Sequence, residues 1–225
     1  MNNTYNEISS CIYSTLETQQ HSFDMGKYVV ENNIKGDIVE CGIAAGGNFA
    51  TMMLGCLEAD KNCSKKFYGF DSFQGIQLAG KKDKEQAGIG AITHDVNVSD
   101  EELLVSSGIT VHPKDNVINN LKSWGLYDKL DIRLIEGWVQ HTLPLLANEI
   151  QEISILRLDM DIYHPTKFAL EYLYPKISVG GVIIIDDWAL DGARLAVDEY
   201  LQENNICIEI KSIPNSTPKY FFKKV

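Results

Sequence analysis

Basic charge is what this chain has least of. Its 20 basic residues include three arginines, Arg133, Arg157 and Arg194, against 31 acids, for a net charge of -11 and a pI near 4.9. That sign repels a phosphate backbone, so nucleic acid is excluded as a partner. Lys81, Lys82 and Lys84 form a small local patch that reads as a solvated loop. Long apolar runs are lacking too: stretches such as Val182 to Ile185 fall far short of the roughly 18 to 20 residues that cross a bilayer, so no membrane association is expected. The five cysteines, Cys11, Cys41, Cys56, Cys63 and Cys207, make no C-x-x-C pair and no zinc spacing, and read as reduced structural thiols. The N-terminus has neither the basic nor the apolar region of a signal peptide, which points to the cytoplasm. With 44% hydrophobic and 23% charged residues and no low-complexity tract, the composition also excludes disorder.

What is present is alternation. No linker and no internal repeat divides the 225 residues, so the chain reads as one domain, 36–225, behind a helical extension, 1–35. In the extension, Tyr5, Ile8, Cys11, Ile12 and Leu16 fall at helical spacing, and Met25, Tyr28 and Val29 mark a second helix. Beyond Gly36, short apolar strands (37–41, 66–70, 130–135, 153–158 and 182–185) alternate with helical patterns (49–57, 116–124, 142–150, 165–174 and 193–201). Such alternation demands right-handed crossovers, hence an α/β fold with a mostly parallel sheet covered by helices on both faces. Residues 207–212 and 220–223, around a turn at 214–216, read as an antiparallel hairpin on the sheet edge. The segment 72–115 is glycine-rich and weakly periodic, as a mobile lid over a site would be.

Polar residues gather where the strands end: Glu40 and Gly42, Asp71, Glu136 and Gly137, Asp159 and Asp161, Asp186 and Asp187. In open α/β sheets ligands bind outside these carboxyl ends. Single acids there commonly cap helices, but an adjacent pair such as Asp186-Asp187 repels itself unless a cation is present. The first turn, Glu40-Cys-Gly-Ile-Ala-Ala-Gly-Gly47, is neither G-x-G-x-x-G nor a P-loop, which disfavours phosphate cradling. Asp71 stands where a carboxylate accepts from two ribose hydroxyls. A nucleoside without phosphates satisfies both observations.

These stretches resemble the macrocin O-methyltransferases, a family of class I, Rossmann-like enzymes that use S-adenosylmethionine and magnesium to methylate sugar hydroxyls. The resemblance is carried by Asp37 to Gly47, Gly69 to Gly75, Glu136 to Pro144, Leu158 to Tyr163, and Gly180 to Trp188 running into Ala196 to Tyr200. It implies Glu40, Gly42 and Gly47 around the methionine part of the cofactor, Asp71 and Ser72 at the ribose, and Gly137 with Trp138 near the adenine. It implies Asp159, Asp186 and Asp187 as Mg2+ ligands and Asp161 as the catalytic base. The partner would be a small-molecule or glycan hydroxyl acceptor, and family analogy suggests a homodimer through the N-terminal helices. Ala44-Ala45 replaces the Trp-Arg that members often carry, and 77–110 has no close match, so the acceptor is left open.

Physical chemistry leads the same way. An alkyl hydroxyl is a poor nucleophile at neutral pH; a hard cation on three carboxylates lowers its pKa, and a nearby carboxylate takes the proton. Asp159 and Asp161, two apart, would share one face of a regular strand. Two other classes compete: a metal-dependent glycosyltransferase using Asp159-Met160-Asp161 as a D-x-D motif, and a non-catalytic cofactor-binding protein. His141 and His164 lie beside the motifs but read more simply as surface or capping residues, and Trp188 as either packing or acceptor pocket.

Overall fold

The computed structural model describes residues 3–83, 99, 101–214 and 220–224. Five parallel strands form the body of the sheet: β1 (Asp37–Cys41), β2 (Lys66–Asp71), β3 (Asp131–Glu136), β4 (Ile153–Leu158) and β5 (Ile177–Ile185). β6 (Lys211–Ser212) and β7 (Tyr220–Lys223) complete the order β3-β2-β1-β4-β5-β7-β6, β7 running antiparallel to both its neighbours. The turn expected at 214–216 lies outside the described residues from 215 onward. Strand order reverses between β1 and β4, so this Rossmann-like sheet has its switch point there.

Both faces are buried because the strands are apolar on both. Val39, Cys41, Leu156, Leu158, Ile183 and Ile185 point to one side, where α5 (Val139–Leu146), α6 (Tyr163–Leu173) and α7 (Asp191–Glu203) pack. Ile38, Ile155, Val182 and Ile184 point to the other, under α1 (Asn3–Ser9), α2 (Leu16–Glu31), α3 (Gly47–Ala59) and α4 (Lys114–Ser123). α2 lies directly on α3. A Cβ on Gly26 would stand 2.2 Å from the Met52 carbonyl oxygen, and one on Gly55 2.0 Å from that of Phe23, so both helices need glycine at their contact.

The first expected helix is shorter than its apolar spacing predicts. α1 stops at Ser9, and Leu16, 69% exposed, opens α2 instead. Thr15 breaks the run by capping α2, its hydroxyl accepting from the Thr18 N–H. Cys11 and Ile12 are taken by tertiary packing, the Cys11 carbonyl pressing on Gly47 at the start of α3. The connector 10–15 thereby reaches the carboxyl ends of the strands.

Of the segment 72–115, residues 84–98 and 100 lie outside the described residues. The flanking parts pair with one another: Ile76 N–H donates to Ile109 O at 3.0 Å and Leu78 N–H to Val105 O at 2.9 Å. Buried Asp83 anchors this stretch, accepting from Gly80 N–H at 2.9 Å and from Tyr163 N–H, in the first turn of α6, at 2.8 Å.

Candidate active site

A cavity of about 480 Å³ opens over the switch point. Its wall includes Glu40, Gly42, Gly47, Asp71, Ser72, Gly137, Trp138, Asp159, Asp161, Asp186 and Asp187, so all the site residues expected from the sequence meet in one place. Among the described residues lining it, none is lysine or arginine.

The acids converge at the β4 and β5 end. Asp159, Asp186 and Asp187 each bring a carboxylate oxygen within 4.8 Å of the others. Asp187 has its carboxyl pushed well above the usual range by burial, then by the charges of Asp161 and Asp159. A set of oxygen donors that is costly to ionise together is one a hard divalent cation satisfies. Asp161 arrives differently from the sequence expectation. β4 ends at Leu158, and Asp161 sits in a turn with φ +67°, its N–H donating to Asp187 at 2.8 Å. Asp159 and Asp161 therefore share the cavity through a left-handed turn, not through strand pleating.

Glu40 is 1% exposed, and burial raises its carboxyl to about 8 against the pull of Arg157. One of its oxygens accepts from Arg157 Nε at 3.1 Å; the other, Oε2, is buried with no hydrogen-bond partner among the described residues. Gly42, at φ +84°, lets the β1 tip touch β4, since a Cβ there would fall 1.7 Å from the Asp159 carbonyl oxygen. Asp71 accepts from Ala44 N–H at 3.0 Å and Phe73 N–H at 2.7 Å, holding the first turn to the second strand; burial nonetheless raises its pKa. The Ser72 hydroxyl is engaged inside its own loop, donating to Gly75 O and accepting from Gln74 N–H.

Three features were missed. Arg157, fully buried behind the acids, hydrogen-bonds Glu40, Asp159 and Asp186; a lone arginine inside the apolar strand Ile153-Ser-Ile-Leu-Arg-Leu158 was its signal. Gln77 and Gln140 join side chain to side chain at 2.8 Å in the cavity wall, leaving Gln77 Nε2 and Gln140 Oε1 buried and without a partner among the described residues. Cys11 to Ser14 line the mouth, where the Tyr13 hydroxyl meets His112 Nε2 at 2.8 Å. No local pattern marks these last two. His141 pairs with Glu101 on the surface, His164 lies outside the cavity wall, and Trp188 packs against the core on the α5–α7 face.

Residues 18–224 match the family described as Macrocin-O-methyltransferase (TylF). The chain is 34% identical over 188 residues to demethyldecarbamoylnovobiocin O-methyltransferase of Streptomyces niveus, covering 82% of this chain and 65% of that one. It is 32% identical over 185 residues, with the same shares covered, to 8-demethyl-8-(2,3-dimethoxy-alpha-L-rhamnosyl)-tetracenomycin-C 4'-O-methyltransferase of Streptomyces olivaceus. The chain thus spans just under two thirds of these relatives. Among solved structures, the O-methyltransferase NovP superposes with a TM-score of 0.75 at 29% identity, over 93% of this chain and 80% of that one.

Proposed function

Because the chain belongs to the macrocin O-methyltransferase family, we propose that it transfers the methyl group of S-adenosylmethionine to a hydroxyl of a sugar or glycosylated natural product, aided by Mg2+. The observation that carries this reading is the meeting of Asp159, Asp186 and Asp187 in a cavity whose wall also holds Glu40, Gly42 and Asp71. Both groups fit the residues present. The unpartnered Glu40 Oε2 suits the ammonium of a methionine moiety, Asp71 two ribose hydroxyls, and the three aspartates a cation that prefers oxygen ligands.

When bound, the cofactor supplies an electrophilic methyl on a sulfonium and the cation polarises the acceptor hydroxyl. The chain does the rest. Asp159, Asp186 and Asp187 hold the cation; Asp161, beside them, accepts the hydroxyl proton on its carboxylate. Trp138 and Gly137, in the cavity wall, would hold the adenine. Alignment of acceptor and methyl within the cavity contributes most of the acceleration, about 7 to 11 kcal/mol for well-oriented groups. The described flanks of 72–115, with Gly75, Ile76, Gln77 and Thr110 in the cavity wall, cover the site, and the N-terminal helices offer a surface for a second copy.

The test is calorimetric titration with S-adenosylhomocysteine and with nucleotide sugars, with and without Mg2+, followed by a mass screen of glycosylated acceptors for a gain of one methyl group. Tight binding of a nucleotide sugar and none of the homocysteine nucleoside would replace this reading with the glycosyltransferase one.

A further inference from the structure

Arg157 is completely buried, and a charge inside a sheet covered on both faces persists only where carboxyl groups pair with it. Three do so among the described residues. Nε donates to Glu40 Oε1 at 3.1 Å, and Nη2 donates to Asp159 Oδ2 at 2.9 Å and to Asp186 Oδ1. The sheet register brings them together. Arg157 lies between Glu40 on β1 and Ile184 on β5, and Asp159 and Asp186 each stand two residues further toward the carboxyl ends. Yet Arg157 is absent from the cavity wall, whereas Glu40, Asp159 and Asp186 all belong to it. The guanidinium therefore grips these acids from the protein side while the cavity lies on the other.

A guanidinium is a rigid planar fork, and an oxygen held by it cannot turn freely. We propose that Arg157 is the positioning residue of the divalent-cation site: by holding one oxygen each of Asp159 and Asp186, it fixes the rotation of both carboxylates so that they face the cavity together with Asp187. The same fork holds Glu40, so one side chain touches both the proposed cation ligands and the acid proposed for the cofactor. This inference rests on the metal assignment above. Groups that orient metal ligands from behind are worth about 10- to 100-fold in metal affinity. A buried ion pair serving the fold alone would change melting and leave the affinity of the folded protein unaltered.

Titration of the full chain with Mn2+ alone, followed by the electron paramagnetic resonance of the free ion, separates the two. Arg157→Met and Arg157→Lys, each checked for a native circular dichroism spectrum, should bind Mn2+ about 10- to 100-fold more weakly than the native chain. The lysine variant keeps the buried charge and loses only the fork; it decides the matter if the methionine variant does not fold. Affinity within about threefold of native in a folded variant, or tighter than native, overturns the inference and leaves the metal assignment standing. Absence of saturable Mn2+ binding by the native chain ends both.

Discussion

The two walls of the cavity are built on different principles. The floor consists of strand tips: Glu40, Gly42, Asp71, Asp159, Asp186 and Asp187 lie at or just beyond the carboxyl ends of hydrogen-bonded strands and are tied to one another by backbone and side-chain bonds. The roof consists of connectors: Cys11 to Ser14, Gly75 to Gln77 and Thr110, joined by a few pairs such as Tyr13 with His112, where Tyr13 is 71% exposed. On the proposed reading, groups that must hold a fixed geometry against charge repulsion sit on the strand tips, and groups that would meet a variable partner sit on connectors that are cheap to alter.

Replacing Asp186 by alanine attacks the floor at its centre and should have the largest effect. It deletes one of three proposed cation ligands and a partner of Arg157. Methyl transfer should be abolished, while S-adenosylhomocysteine affinity, measured calorimetrically, stays close to native because Asp71, Gly137 and Trp138 are untouched. Turnover with Mg2+ in that variant would show the floor is not the metal site. Asp161→Asn comes next. If Asp161 accepts the proton, transfer should slow by about 10²- to 10⁴-fold, the deficit shrinking as pH rises and the hydroxyl ionises unaided. A rate equal to native would remove Asp161 from the chemistry.

A third prediction concerns the strain stored in the floor. The Glu40 carboxyl moves from its ordinary 4.5 to about 8 on folding, chiefly through burial. Across that window the folded chain holds a proton that the unfolded chain has released, so this group lowers stability as pH rises from about 4.5 toward 8. Glu40→Gln removes the dependence and keeps an oxygen for Arg157. Without ligands, the variant's melting temperature relative to native should be higher at pH 8 than at pH 5; parallel curves would show that Glu40 is ionised throughout.

The same division governs what was legible in the sequence. The strands at 37–41 and 153–158 follow from their apolar runs with their ends unchanged, and the floor residues stand out because acids gather where those apolar runs stop. The pleat argument for Asp159 and Asp161 fails since a local turn, invisible to periodicity, takes over after Leu158. The first helix fails for a related reason: Cys11 and Ile12 keep helical spacing, but their packing on α3 outweighs the propensity to continue. The roof has no period at all. Gln77 and Gln140 are 63 residues apart, and only the folded chain brings them together.

The roof therefore supplies the smallest effect and the sharpest contrast. Tyr13→Phe removes the hydroxyl that meets His112 and leaves the ring in place. A typical intramolecular hydrogen bond contributes about 0.5 to 1.5 kcal/mol net, so the tie between the two connectors should weaken by at most roughly tenfold. If the roof holds the acceptor and the floor holds the cofactor, that change should appear in the acceptor KM, with S-adenosylhomocysteine affinity and Mn2+ affinity unaltered. Loss of cofactor affinity of the same size would mean that connector and strand tips act as one wall, and the division between a chemical floor and a selective roof would not stand.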